Sequence, residues 1–321
     1  MFVPDWTLAE AATGLESPHV GKMSDPLLAR VFLEKNHLTS SAWYDALARL
    51  LNHLGGEQFH PLLVSVLKQV APFDHAVIIA YPDGKRPLHI YNDLPEKQIR
   101  STLETYFNGA YLLDPFYSAA QNHIAEGYYR LRNLAPDEFY SSEYYRSYYR
   151  GTKLEDELGI LVEVGTGLRV IVSLGVLGGE TPVRNTELSE LALVLPLLNA
   201  ICKRHWREIG MLDGVDYVQA VDNTRLSDTL DLAFRNFGRD YLSERECEIV
   251  RMVLKGYSSQ SIGELLHIST DTVKAHRKNV HRKLEISSHG ELFSLFLDAI
   301  CLVDLGSSDD PLNVYYAAKP S

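Results

Sequence analysis

The spacing of apolar residues changes along the chain and divides it in two. From residue 242 onward they recur every three or four positions. Ile249, Val250, Val253 and Leu254 form a first set and Ile262, Leu265 and Leu266 a second. Val273, Val280 and Leu284 form a third, and Phe293, Leu295, Phe296 and Ile300 a fourth. That period belongs to helices with one buried face. The breaks carry their own chemistry. Ser243 followed three residues later by Glu246 is a capping box, in which hydroxyl and carboxylate each take an orphan backbone N–H. Gly256 supplies a left-handed stop. Ser258 or Ser259 caps the second helix and Ser269 the third. Ile268 and Val273 have the spacing of a hydrophobic staple, and Asp271 suits the positive helix end. The turn His267-Ile268-Ser269 is short, so the second and third helices must cross in helix-turn-helix geometry.

Ahead of residue 240 both periods occur. Residues 42–54, 61–70, 95–109 and 187–208 read as helices. Residues 75–81 (HAVIIAY) are a buried strand, and Pro82-Asp83-Gly84 turns the chain toward a partner at 88–91. Residues 160–164 and 168–174 flank Gly165-Thr166-Gly167, a hairpin signal. The order predicts an α+β class: an α-β-α sandwich with a small antiparallel sheet, followed by a four-helix domain of helix-turn-helix type. The expected organisation is an N-terminal arm at 1–38 with a short helix at 27–33, a sensing domain at 39–210, and a linker at 211–240 with a helical patch at 226–237. A helix-turn-helix domain at 241–305 and a tail at 306–321, disordered or an extra arm, complete it.

Charge sharpens this division. The chain of 321 residues carries a net −11. Residues 1–240 hold 22 Lys and Arg against 31 Asp and Glu, a net of −9. Residues 241–305 hold 8 against 9. Residues 270–284 hold five against one, a net of +4. The positive charge is therefore confined to one helix. Lys274, Arg277, Lys278 and His281 fall at i, i+3, i+4 and i+7, on one face. A helix with one apolar and one cationic side suits a DNA major groove. One such domain binds weakly alone, so a homodimer on two half-sites is expected.

The run from 242 to 292 resembles the C-terminal DNA-binding domain of the LuxR/FixJ family. The matching segments are LSEREC (242–247), KGYSSQSIGELLHIS (255–269) and TVKAHRKNVHRKLEI (272–286). One departure is His289, where the family usually has Arg. The resemblance implies that Lys274, Ala275 and Lys278 face base edges, while Thr272, Asn279 and Lys283 hold phosphates or fix the helix pose. The residues themselves add Arg277 and Arg282 as phosphate or groove-wall contacts. His276 lies between the basic stripe and the apolar face and reads as a half-buried histidine. The resemblance further implies that the fourth helix, through an exposed apolar side, pairs two such domains.

The front half resembles the PAS/GAF-type autoinducer-binding domains that precede this DNA-binding domain in the quorum-sensing branch. Tyr106, Tyr111 and Asp114-Pro115 echo the tyrosine and Asp-Pro stretch that there binds acyl-homoserine lactones. The spacing is one residue short and no Trp precedes Tyr106. A plain helix cap with an N1 proline is the alternative for Asp114-Pro115. Seven tyrosines, Tyr128, Tyr129, Tyr140, Tyr144, Tyr145, Tyr148 and Tyr149, crowd 22 residues. Tyr144 with Tyr148, and Tyr145 with Tyr149, are spaced to stack on one helix. Three roles are open to them: lining a pocket of a few hundred Å³, forming a dimer face, or half-buried packing. Tyr106, Tyr111, Asp114, Tyr144 and Tyr148 are the candidate ligand-binding residues.

Other classes find little support. There is no GxSxG, HExxH, Walker loop or CxxC pair, and the twelve histidines do not pair at metal spacing, so no enzyme, metal or cofactor is expected. The acidic pocket and Lys of a phosphorylated receiver domain are not at their spacing. Cys202, Cys247 and Cys301 form no framework, and Cys247 belongs to an apolar helix face. No apolar run spans a membrane and no signal peptide opens the chain, so a cytoplasmic protein is expected. The expectation is a one-component transcription regulator that binds operator or promoter DNA and a small-molecule effector, and contacts RNA polymerase if it activates. The alternative is control by a protein partner with no small ligand.

Overall fold

The computed structural model describes residues 37–83, 85–107, 109–178, 185–208, 232–303 and 307–318. The expected arm up to residue 36, its helix at 27–33, and the linker as far as residue 231 lie outside the described residues. A boundary between two units falls after Asp45. The described part of the first is a turn at His37–Thr39 and the start of helix α1 (Ser41–Asn52), where Ser40 Oγ accepts the Trp43 N–H at 3.2 Å.

The second unit, from Ala46, opens with α2 (Phe59–Leu67) and a five-stranded antiparallel sheet. The strands are β1 (His75–Pro82), β2 (Leu88–Asn92), β3 (Gly127–Arg130), β4 (Leu154–Gly165) and β5 (Leu168–Leu177), in the order β2-β1-β5-β4-β3. Strands β4 and β5 carry continuous buried runs on both faces, and alternation sorts their side chains. Ile79, Tyr81, Leu161 and Ile171 share one core with Phe116, Tyr111 and Tyr144. Ala76, Ile78, Ile160, Val162, Val170 and Val172 alternate with them and are buried on the opposite face. Helix α5 (Asn185–Glu208) lies against β4 and β3.

The structure extends the predicted hairpin down to Leu154 and Leu177 and adds β3. Strand β3 is GYYR, too short for its alternation to stand out from the surrounding tyrosines. The stretch expected to be helical over 95–109 is helical from Glu96 to Phe107, with one widened turn at Arg100–Glu104. Helices α3 (Pro115–Gln121) and α4 (Glu143–Ser147) cover the sheet face that carries Tyr81. The ring of Phe116 lies where a Cβ on Gly159 would sit, 2.3 Å from it, so only glycine admits α3 at that depth.

The C-terminal domain has the four predicted helices: α6 (Glu244–Lys255), α7 (Ser259–Leu266), α8 (Thr270–Lys283) and α9 (His289–Cys301). Each starts on a serine whose side chain accepts a backbone N–H three residues on, and the Ser243–Glu246 capping box is complete. Ile249, Ile262 and Val273 join the first three helices in a small core.

The apolar side expected to be exposed on α9 is covered by the same chain. Phe296 meets Phe234 and Phe237 of the stretch before α6. A further helix, α10 (Pro311–Ala318), packs on α9. Asp310 ties this end down: it is fully buried and accepts the N–H groups of Gly238, Asp240 and Leu312 at 2.9, 2.8 and 3.0 Å. The expectation of a free pairing face on α9 overlooked this because the apolar residues of 232–237 and 307–318 do not by themselves say which helix they dock on.

Candidate nucleic-acid interface

Helix α8 is held by Val273 and Val280, both buried, and by Leu284 just beyond it. Its opposite face is open. Lys274, Ala275, Lys278 and Arg282 are exposed. Lys274 Nζ sits 3.6 Å from Asp271, a pair so exposed that water screens most of it. Thr272 is exposed at the first turn, where its N–H reaches Ser269 Oγ at 3.1 Å and the two hydroxyls meet at 2.7 Å. His276 and Asn279 are half-buried.

The predicted stripe divides. Arg277 and His281 are half-buried, unlike Lys274 and Lys278. At about 100° per residue, Arg277 lies only about 20° around the helix from Leu284 and about 40° from Val273. It is therefore drawn to the edge of the apolar face. Its guanidinium donates to Ser259 Oγ at 2.5 Å and to the ring of His289, which stands 5.8 Å from the His281 ring. Burial and the Arg277 charge push the His289 imidazole down to about 4, so it meets Arg277 as a neutral acceptor. Lys283 is exposed, but its ammonium is tied to the buried Glu246 at 2.6 Å.

This domain sits directly on the front domain. Gly256 closes α6 with φ +93°, and a Cβ there would lie 2.8 Å from the Phe139 Cα. Its carbonyl accepts the Glu138 N–H at 2.9 Å, and Asp137 accepts the Ser258 N–H at 3.0 Å. Burial opposes ionisation of Asp137, but the hydrogen bonds from Ser258 and Ser261 outweigh it and hold that carboxyl below its usual range. The apolar core is continuous across the junction, from Phe139 and Tyr144 to Leu254, Leu292 and Phe293. Sequence reading missed Asp137, Glu138 and this role of Gly256; each is unremarkable in a one-dimensional pattern.

The structure brings the five candidate ligand residues together in one core. Tyr106, Tyr111, Asp114 and Tyr144 are buried, and Tyr148 is half-buried. The Tyr106 hydroxyl donates to Asp114 at 2.6 Å and meets the Tyr81 hydroxyl at 2.8 Å. Asp114 also caps α3, accepting the Phe116 N–H at 2.9 Å. The helix-cap reading of Asp114-Pro115 is the one this geometry shows. Tyr144 stacks on Tyr148 and Tyr145 on Tyr149, both at 5.5 Å. Glu157, which no motif singled out, accepts a hydrogen bond from Tyr149 in the same layer. Burial, with Asp114 nearby, raises Glu157 to about 7; burial raises Asp114 to about 6. These rings fill the space between sheet and helices. A cavity of about 50 Å³ opens beside Glu157, Thr102 and Ser173, and none of the five candidates lines it. The tyrosines expected to line a pocket pack on one another.

Capped helices crossing at a short turn, with the third helix open on its cationic side, define a helix-turn-helix DNA-binding protein. The sequence model of the family described as bacterial regulatory proteins, luxR family, matches residues 240–296. The HTH-type transcriptional regulator of the exeN 3′ region of Aeromonas salmonicida is 30% identical over 198 residues, 62% of this chain and all of that protein. The chain belongs to the luxR family. The transcriptional activator protein PhzR of Pseudomonas fluorescens matches over a shorter stretch, 36% identical over 66 residues, 20% of this chain and 27% of that one. Among solved structures, the ligand-binding domain of VqsR from Pseudomonas aeruginosa is 25% identical, covering 53% of this chain and 98% of that one at a TM-score of 0.47. SdiA in complex with octanoyl-rac-glycerol is 18% identical, covering 81% and 97% at 0.40. No helix among the described residues is long and apolar enough to cross a membrane.

Proposed function

We propose that this protein is a one-component transcription regulator that acts in the cytoplasm as a homodimer and reads operator or promoter duplex through α8. The observation that carries this is the open face bearing Lys274, Ala275 and Lys278 opposite the buried Val273 and Val280. Lys274, Ala275 and Lys278 contact base edges. Thr272, Asn279 and Arg282 hold phosphates or fix the pose. Arg277 and Lys283 reach phosphate only by giving up Ser259 and Glu246. The front domain sets where α8 points, because the junction at Gly256 and Phe139 links the two cores. A small molecule that changes the front domain would thereby change DNA binding, and RNA polymerase is the further partner if the protein activates.

The test is selection of preferred duplexes from a random pool by the full chain, then affinity across single-base variants. Lys278→Ala should lose affinity unequally across them, with individual sites falling by about 5- to 100-fold. An equal loss on every duplex, or no salt-sensitive binding to any duplex, contradicts the reading. The close packing of Tyr106, Tyr111, Tyr144 and Tyr148 favours a second reading, in which a protein partner controls the front domain and no small ligand enters its interior.

A further inference from the structure

The first helix of the helix-turn-helix pair starts against a carboxylate from the front domain. Asp137 accepts the Ser258 N–H at 3.0 Å, at the cap of α7, and also hydrogen bonds from the side chains of Ser258 and Ser261. Helix α7 has no acidic residue in its own first turn, whereas α6, α8 and α9 each have one or more. The N-terminal end of a helix offers partial positive charge and unpaired N–H groups, so it takes an anion. Here a different domain supplies that anion.

This end of α7 borders the DNA-reading face. Ser259, next to the cap, receives Arg277 Nη1 at 2.5 Å, and Arg277 precedes the exposed Lys278 on α8. Glu138 attracts the Arg277 guanidinium, and its N–H donates to the Gly256 carbonyl at 2.9 Å. Lys255, in the last turn of α6, is turned to Ser118 Oγ and the Phe234 ring, and the His289 ring is neutral. The charges at this edge are therefore two carboxylates against one guanidinium. In a helix-turn-helix domain the first helix crosses the phosphate backbone, and helix N-termini are among the groups that hold phosphate. A phosphate arriving at Ser258 and Arg277 would meet excess negative charge and an N–H already taken.

We propose that Asp137 and Glu138 occupy the place of a DNA phosphate at the start of α7, and that this contact holds the chain in a weakly binding state. Undocking of residues 137–146 frees the Ser258 N–H and lets Arg277 turn from Ser259 to the backbone. The front domain thereby controls affinity as well as the direction of α8. The proposal rests on the reading of α8 as the DNA-contacting helix.

The test uses the full chain and the duplex that it selects from a random pool. Asp137→Asn keeps an acceptor for Ser258 and removes the charge. It should raise duplex affinity about fivefold, the effect of one unit charge about 4 Å from another in water. The slope of log affinity against log salt should steepen by about one, as for one added phosphate contact. Asp137 is exposed, so the thermal transition should stay in place. In an Arg277→Met chain the same change should bring little of the gain. Glu57→Gln removes an exposed carboxylate of the front domain outside the junction. It should change affinity by less than about twofold. Unchanged affinity and slope in Asp137→Asn overturn the proposal, as does a gain that Arg277→Met leaves intact. So does a fall in affinity, which would make the contact one that aligns α8 for binding. An equal gain from Glu57→Gln also overturns it, because the effect would then be general charge repulsion. Duplex binding by the unaltered chain separates the two claims. If it persists and Asp137→Asn has no effect, the masking contact alone falls. If neither chain binds any duplex, the regulator reading falls and the proposal with it.

Discussion

Lys283 Nζ lies 2.6 Å from Glu246 Oε2, and this contact ties the end of α8 to the capping box that starts its domain. Glu246 is 4% exposed and also accepts the Ser243 N–H at 2.8 Å. Burial alone would raise its pKa. The hydrogen bonds from Lys283 and Ser243 outweigh burial and hold it below the usual range. Lys283→Ala leaves a buried carboxylate without its cation and should cost about 1–3 kcal/mol in chemical denaturation. Lys283→Arg should recover most of that stability. A loss of DNA binding in Lys283→Ala with an unchanged denaturation midpoint would assign Lys283 to phosphate alone.

Gly256 stands where α6 ends and where the front domain touches. Its left-handed φ already disfavours a side chain, and a Cβ would strike the Phe139 backbone. Gly256→Ala should cost about 1–2 kcal/mol. Its distinguishing effect is spatial: hydrogen exchange should rise in residues 137–146 as well as at the end of α6. Faster exchange confined to α6 would mean that the junction tolerates the methyl group.

The tyrosine layer predicts a pH dependence. Glu157 and Asp114 have folded pKa values raised to about 7 and about 6. In the folded state they hold protons that the unfolded chain has released from about pH 4 upward. Their contribution to stability is present at low pH and is lost as pH rises through 6 and 7. Glu157→Gln keeps the shape without the charge, so it should flatten the fall in melting temperature between about pH 4 and 7 and recover about 1–2 kcal/mol at pH 8. An unchanged slope would place the titration elsewhere.

A histidine pair beneath α5 responds in the opposite sense. His205 Nδ1 accepts the Gly55 N–H at 2.9 Å, and His60 Nε2 accepts the Trp206 indole N–H at 3.3 Å. Both acceptors require neutral rings. Burial lowers His60 to about 4, and burial with His60 nearby lowers His205 to about 3. Their contribution is present above about pH 6.5 and is lost as pH falls toward 4. His60→Gln keeps an acceptor for Trp206 and does not titrate, so unfolding followed by Trp fluorescence should be less acid-sensitive than in the native chain. An identical acid limb would mean that His60 is not the responsible group.

The amino-acid order alone settles the local structure of the C-terminal domain. Ser243, Ser258, Ser269 and Ser288 cap helices through their own side chains, and Gly256 stops one through its own backbone freedom, so no distant residue is needed to read them. The apolar periods place Val273 and Val280 inward and Lys274 and Lys278 outward for the same reason. Local periodicity could not fix the fate of Arg277, which sits at the border between two faces and is settled by Ser259 and His289 from other helices. It also could not tell whether the tyrosines surround a void or fill it, since that depends on how closely α3 and α4 approach the sheet. Nor could it show that α9 is covered by residues 232–237 and 307–318, or that segment 137–146 docks on α6 and α9. Those contacts join positions up to about 150 residues apart, between surfaces whose complementarity exists only once both are folded.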